Sequence, residues 1–77
     1  MPFTNFSDQG STLTTAERGA EAARILRRIR LSYMEAGLTD RAMEFVEQLL
    51  GDLDGFGRVG VSVSQLYWLR EINEKVD

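Results

Sequence analysis

Residues 14–37 read TTAERGAEAARILRRIRLSYMEAG and carry the longest helical pattern in this chain of 77 residues. Thr14 and Glu17 have the spacing of a capping box, in which each side chain bonds to the other residue's backbone N–H. Gly37 can adopt the left-handed conformation that ends a helix. We therefore predict a helix of about 22 residues that begins at Thr14 and ends at Gly37. Its apolar face consists of Ala22, Ile25, Leu26, Ile29, Tyr33 and Ala36.

A second helix is predicted to begin at Thr39, whose hydroxyl can cap the first free N–H groups. Asp40 follows at the first helical position, where a carboxylate favours the positive end of the helix dipole. The stretch between Gly51 and Val61 contains four glycines, too many for a helix interior, and predicts a long turn after a helix that ends at Gly51. The apolar face of this helix consists of Ala42, Phe45, Val46, Leu49 and Leu50.

A third helix is predicted to begin at Ser62, which forms a second capping-box pair with Gln65. Valines alternate at positions 59, 61 and 63, so a short strand is the alternative for this approach to the helix. Three amphipathic helices predict an all-α fold, a small three-helix bundle over residues 14–77 preceded by a flexible N-terminal arm, residues 1–13. The apolar face of the third helix consists of Leu66, Trp68, Leu69, Ile72 and Val76.

The composition excludes most catalytic and metal-binding classes. The chain has no cysteine and no histidine, which removes Cys/His zinc sites, cysteine nucleophiles and Ser-His-Asp triads. We therefore expect a protein that is not an enzyme and needs no cofactor or metal. Its apolar runs are too short to span a membrane and the N-terminus lacks the pattern of a secretory signal, which predicts a cytoplasmic protein. A domain of this size has a thin core, which favours a homo-oligomer such as a dimer.

Charge is unevenly distributed along the chain. Residues 1–34 have a net charge of +2 and residues 35–77 a net charge of −5, and four arginines lie within the seven positions 24–30. Arg24 and Arg28 lie near Glu21 on the outer helix face, where a solvated surface is the simplest interpretation. The alternative is a phosphate-binding surface, since Arg is suited to bidentate contacts with anions. The acidic total disfavours nucleic acid as the ligand.

A second apolar strip is predicted on the first helix, where Arg27 and Arg30 flank Leu31 and Met34. Such a strip occurs when a helix packs on two sides, so it can contact a partner protein or lie under the N-terminal arm. Phe3 and Phe6 in that arm can anchor it on the domain or on a neighbouring subunit, and an ordinary disordered terminus is the alternative. On the third helix, Tyr67 is predicted to project into solvent as a recognition residue.

Two motifs resemble a calcium-binding loop and a DNA-binding helix-turn-helix, and neither is predicted to have that function. Asp52 and Asp54 resemble the start of an EF-hand calcium loop, but Val63 occupies the position of the bidentate glutamate, so a glycine-rich turn is predicted. Residues 37–39 resemble the turn of a helix-turn-helix motif. The helix after them carries three carboxylates against one arginine, which disfavours DNA binding. The acidic groups are predicted to form a solubility face or a surface for a basic partner: Asp40, Glu44, Glu47, Asp52 and Asp54.

Residues 37–40 (GLTD), 44–47 (EFVE) and 61–76 (VSVSQLYWLREINEKV) resemble a helical segment common in phage-encoded proteins. The similarity covers about half of the chain, residues 38–76, and implies a phage or mobile-element origin without a defined activity. It does not explain the arginine-rich first helix. In bulk character, a compact, acidic and non-catalytic chain is similar to anti-CRISPR proteins and other phage anti-defence inhibitors.

The sequence thus favours a binding module over an enzyme. The leading hypothesis is a protein that binds and occludes a partner, for which a host defence complex that targets nucleic acid is one candidate. One alternative is nucleic-acid or nucleotide binding through the arginine-rich helix, and another is a structural subunit of a phage assembly. The candidate partner-binding residues are Arg24, Arg27, Arg28, Arg30, Leu31, Met34 and Tyr67, with Phe3 and Phe6 as oligomer or arm contacts.

Overall fold

The computed structural model describes residues 13–76 and shows the predicted all-α fold with three helices. These are α1 (Thr15–Ile29), α2 (Asp40–Phe56) and α3 (Val63–Lys75), with a short 3₁₀ helix, Tyr33–Glu35, between α1 and α2. Within residues 13–76 no strand is present, so the valines near position 61 do not form the alternative strand. The N-terminal arm, with Phe3 and Phe6, lies outside the described residues except for Leu13, which packs against the core.

Helix α1 begins as predicted and ends earlier than predicted. The Thr14 hydroxyl accepts from the Glu17 N–H, and the Glu17 carboxylate accepts from the Thr14 N–H, so the capping box is confirmed. The helix ends at Ile29 rather than Gly37, because the backbone turns at residues 30–32. That turn places the ring of Tyr33 in the core, with its hydroxyl 3.4 Å from a carboxylate oxygen of Glu47 on α2. Tertiary packing therefore overrides the helical periodicity of the sequence at this point.

Helix α2 begins at the predicted cap, where the Thr39 hydroxyl accepts from the Ala42 N–H, but it does not end at Gly51. It continues through Gly51 and Gly55 to Phe56 and ends at Gly57, whose φ of 76° is left-handed and whose N–H donates to the carbonyl of Leu53. Each helical glycine costs about 1 kcal/mol relative to alanine. Burial of the Leu53 side chain offsets part of that cost. The prediction of a turn over residues 51–56 was therefore wrong, because this stretch is helical.

Helix α3 confirms the second capping box, since Ser62 and Gln65 exchange both hydrogen bonds. Its buried face packs on α1 and α2, and at its edge Trp68 stacks on Phe45 with ring centroids 4.3 Å apart. Helices α1 and α3 run in the same direction, since Glu21 contacts Arg70 and, further along both helices, Arg28 contacts Asn73. The largest fully buried side chains of this core are Leu26, Ile29, Val46, Leu66, Leu69 and Val76.

The linker between α2 and α3 crosses α1 at Gly19. A Cβ added at Gly19 would lie 2.5 Å from the carbonyl oxygen of Val59, closer than real Cβ contacts allow. Val59 and Val61 of this linker are both buried. Arg18 Nε on α1 donates a hydrogen bond to the carbonyl of Val61 at 3.0 Å. The missing side chain at Gly19 is therefore what lets the linker lie directly on the helix.

In the part of the chain between residues 13 and 76, no helix has both the length and the apolar character that crossing a membrane requires.

Candidate functional site

The arginine cluster of residues 24–30 is divided among different tasks. Arg28 Nη1 donates to the side-chain oxygen of Asn73 at 2.8 Å and to the carbonyl of Val76 at 3.0 Å. These carbonyl and amide oxygens lie at the C-terminal end of α3, where a guanidinium satisfies free acceptors and opposes the negative end of the helix dipole. Arg28 thus ties α3 to α1, although the sequence placed it on a purely solvated face.

Arg30 is bound to the last turns of α2. Its Nη2 lies 2.6 Å from Oδ1 of Asp54, and both side chains are about half exposed. This hydrogen bond is the main cause that lowers the pKa of Asp54 and raises the pKa of Arg30. Arg30 therefore joins the end of α1 to α2 and is less available to a partner than the sequence suggested.

Leu31 and Met34, which we call the connection patch, are exposed in the segment between α1 and α2. The side chain of Leu31 is 94% exposed and that of Met34 is 66% exposed. The backbone of this segment is held by hydrogen bonds from Ser32 N–H to the Ile29 carbonyl and from Glu35 N–H to the Ser32 carbonyl. Because Tyr33 between them is buried, the two apolar side chains are presented on an anchored backbone.

Arg24 and Arg27 supply positive charge on exposed parts of α1. Among residues 13–76, the two ion pairs are Arg30 with Asp54 and Arg70 with Glu21, so neither Arg24 nor Arg27 has an acidic partner within 4.0 Å there. Arg and Met are enriched at protein–protein interfaces relative to the rest of the surface. The structure therefore retains Arg24, Arg27 and the connection patch as candidates and assigns Arg28 and Arg30 to intramolecular contacts.

A groove of about 960 Å³ lies between α1 and the end of α2, and the sequence did not reveal it. Its floor on α1 is a row of small residues, and its far wall carries Phe56, which is 76% exposed, and Arg58. Arg27 lies in the lining, together with Asp52 on α2. The α1 residues of the groove are Thr15, Ala16, Gly19, Ala20, Ala23 and Arg27, and the linker residues are Gly57, Arg58, Val59 and Gly60.

Phe56 and Arg58 were missed because their segment was predicted to be a turn. The signal that could have found Phe56 is the spacing of Leu49, Leu53 and Phe56, which continues a helical pattern through both glycines. In the structure Asp52 and Asp54 are helical, two positions apart, so they cannot form the calcium-loop geometry that their sequence resembles. Within residues 13–76 no group of three acidic side chains is arranged to hold a metal ion.

Tyr67 is exposed on α3, as predicted, but its ring has an intramolecular partner. The guanidinium carbon of Arg70 lies 5.5 Å from the ring centroid, and Arg70 also forms a two-bond ion pair with Glu21, at 2.6 and 2.8 Å. Tyr67 lies on α3, whereas the connection patch lies between α1 and α2.

The Glu21–Arg70 pair predicts a specific acid dependence of stability. The hydrogen bond from Arg70 is the main cause that lowers the pKa of Glu21 below its usual 4.5, with a smaller contribution from the charge of Arg24. A carboxylate whose pKa is lower in the folded state than in the unfolded state stabilises the fold when the pH is above its unfolded-state pKa. That contribution is lost as the pH falls through its folded-state pKa. We expect Glu21→Gln to reduce the free energy of unfolding at pH 7 by about 1 kcal/mol and to flatten its decline below the usual pKa.

This expectation is measured by urea unfolding at several pH values. The control is Glu71→Gln, since Glu71 is exposed on α3 and forms no ion pair with another described residue. An equally steep acid decline in the Glu21 variant would show that the Arg70 contact does not stabilise the fold. Asp54, whose pKa is also lowered by its hydrogen bond with Arg30, is one source of the acid dependence that remains in that variant.

No protein-family model matches this chain, and no curated protein or solved structure matches it.

Proposed function

We propose that this domain is a non-catalytic protein-interaction module that binds a protein partner through the connection patch and occludes that partner's functional surface. The observation that carries the proposal is the 94% exposure of Leu31 beside the exposed Met34 on an anchored backbone. Burying an exposed leucine or methionine side chain is worth about 1.5–3 kcal/mol. Because the backbone is already ordered, less of that gain is lost to ordering the binding segment.

The charges around the patch indicate the chemistry of the partner. Arg24 and Arg27 are exposed on the helix that leads into Leu31, and neither has an ion-pair partner among residues 13–76. The complementary surface is an apolar pocket bordered by carboxylates, since opposite charges at the rim of an interface steer association and fix its orientation. The ion pair of Arg30 with Asp54 removes one of the clustered charges that the alternative of a nucleic-acid surface would use, whereas Arg28 is held by neutral oxygens and keeps its charge.

The resemblance of residues 38–76 to phage helical segments supports one class of partner. Phage inhibitors of host defence act by covering a surface of a larger complex, and a small domain with an anchored apolar patch suits that role. A host complex that targets nucleic acid is therefore our candidate partner class, and the domain would act on it stoichiometrically as an anti-CRISPR-like inhibitor.

The proposal is tested by replacing Leu31 with a photoreactive amino acid in the native host and identifying the crosslinked protein. A probe at Glu71, exposed on α3, is the control. We then expect Leu31→Ala combined with Met34→Ala to weaken binding to that protein by about tenfold or more, as for other central apolar contacts. Phe56→Ala removes an exposed apolar side chain outside the patch and should leave the affinity unchanged.

Three outcomes would contradict the proposal. The first is a partner that binds the double variant as tightly as the natural chain. The second is a dimer of the natural chain, measured by light scattering, that the double variant converts to a monomer, since the patch would then serve self-association. The third is DNA or RNA binding at low salt that is lost in Arg24→Ala with Arg27→Ala, while Arg41→Ala, an exposed arginine on α2, has no effect.

A further inference from the structure

The groove between α1 and the end of α2 is an open space of about 960 Å³ with a floor of very small side chains. Ala16 and Ala20 are exposed on that floor, whereas Gly19 lies under the linker and Ala23 is buried, so the open part of the floor on α1 carries only methyl groups. At its wall the ring of Phe56 is 76% exposed. An occupant with one or two large apolar side chains would bury this ring and fill the space above the alanines.

The described part of the chain begins beside this groove. The carbonyl of Leu13 accepts a hydrogen bond from Arg18 Nη1 at 3.0 Å, and Leu13 packs against the core, so Leu13 is held at the N-terminal end of α1. Thr15 and Ala16, at the same end of α1, are the first residues that line the groove. Residues 1–12 therefore depart from a point next to one end of it.

The length of this N-terminal segment is sufficient to follow the groove. From Thr15 to Arg27 the α1 wall is about 18 Å long at 1.5 Å per residue. Phe6 lies seven residue steps before Leu13, which gives it a reach of at most about 23–25 Å in an extended chain. Phe6 can thus reach any part of the α1 wall, and Phe3 can reach further.

The chemistry of the segment also matches the lining. Residues 1–12 contain two phenylalanines, one acidic residue, Asp8, and no basic side chain. Arg27 and Arg58 line the groove and form no ion pair with another of residues 13–76, so they offer positive charge to that carboxylate. Asp52 also lines the groove, so two arginines and one carboxylate leave the lining net positive toward Asp8. The small floor and the exposed ring of Phe56 leave room for the two phenylalanines of the segment.

We propose that residues 1–12 dock in the groove of their own domain, with Phe3 and Phe6 against the small residues of α1 and Phe56, and with Asp8 near Arg27 or Arg58. This occupant leaves the connection patch uncovered, because neither Leu31 nor Met34 lines the groove. The inference goes beyond the proposed function, and its failure would leave the partner-binding proposal intact.

The experiment uses the full chain and its lack of cysteine. Ser7→Cys provides a single site for a nitroxide spin label between Phe6 and Asp8, and the backbone amide signals are recorded with and without reduction of the label. We expect loss of the signals of Ala20, Ala23 and Gly57 while the label is active. The same label in a chain that carries Phe3→Ser and Phe6→Ser measures the broadening caused by the tether alone, and most of the lost signals should return.

A second pair of variants tests the groove itself. Ala20→Trp places a large ring on the floor and should also restore the signals of Ala23 and Gly57, whereas Arg24→Trp, exposed on α1 outside the lining, should not. Equal signal loss with and without the two phenylalanines would overturn the proposal. Signal loss in an unlabelled ¹⁵N chain mixed with spin-labelled ¹⁴N chain would overturn docking within one molecule and assign the segment to a second copy.

Discussion

Leu26→Ala is expected to leave the domain largely unfolded at room temperature. The side chain of Leu26 is fully buried at the centre of the core, and truncation of such a leucine costs about 2–5 kcal/mol. A domain of this size without disulfides or metals is rarely stabilised by more than about 3–5 kcal/mol. The loss of this one side chain therefore removes most or all of the free energy of unfolding.

The measurement is urea unfolding followed by the fluorescence of Trp68, the single tryptophan, whose stacking on Phe45 is lost when the domain unfolds. Leu31→Ala is the matched control, because it removes the same atoms from a side chain that is 94% exposed. That variant should stay within about 0.5 kcal/mol of the natural chain. Similar losses for both leucines would contradict the core described above.

Gly19→Ala is expected to destabilise the domain by about 1–3 kcal/mol, although alanine is the better helix former. The added methyl group would lie 2.5 Å from the backbone carbonyl oxygen of Val59, and a backbone atom cannot move aside as a flexible side chain can. The linker would have to lift from α1, which exposes Val59 and Val61. Thermal or urea unfolding measures the loss.

Gly51→Ala is the control for this prediction and has the opposite sign. Gly51 is exposed within α2, and a Cβ there meets nothing within 4 Å, so the substitution should stabilise the domain by about 0.5–1 kcal/mol through helix propensity. Destabilisation of both variants by similar amounts would show that the close approach at Gly19 is not the cause. A stabilised Gly19 variant would contradict the crossing itself.

The parts of the fold that were predicted correctly depend on local signals. The hydrogen bonds of both capping boxes join residues three apart, so Thr14 with Glu17 and Ser62 with Gln65 can be recognised without the tertiary structure. Gly37 is left-handed, as predicted, with a φ of 73°. The conformation of Gly37 was therefore predicted correctly, but the first helix does not extend to it. The chain turns after Ile29 and buries Tyr33 before it reaches Gly37.

The parts that were not predicted depend on contacts between distant residues. Arg28 meets Asn73 and Arg30 meets Asp54 across 45 and 24 positions, and nothing in the spacing of the arginines distinguishes these two from Arg24 or Arg27. The groove is likewise formed where the end of α2 and the linker after it lie beside the small residues of α1, which are far away from them in the sequence. Leu31 and Met34 were predicted to form a strip on the first helix, but α1 ends at Ile29 and they lie in the turn and the 3₁₀ helix after it. Their apolar character could be read from the sequence, whereas the backbone that exposes them could not.

The linker crossing at Gly19 also bears on how two copies of this chain could associate. Exchange of α3 between molecules would require the short connection over residues 57–62 to leave α1 and open as a hinge. Such opening would expose Val59 and Val61 and break the hydrogen bond from Arg18 to the Val61 carbonyl. Domain swapping of α3 is therefore disfavoured, and any association of this chain is expected to join intact folded domains through their surfaces.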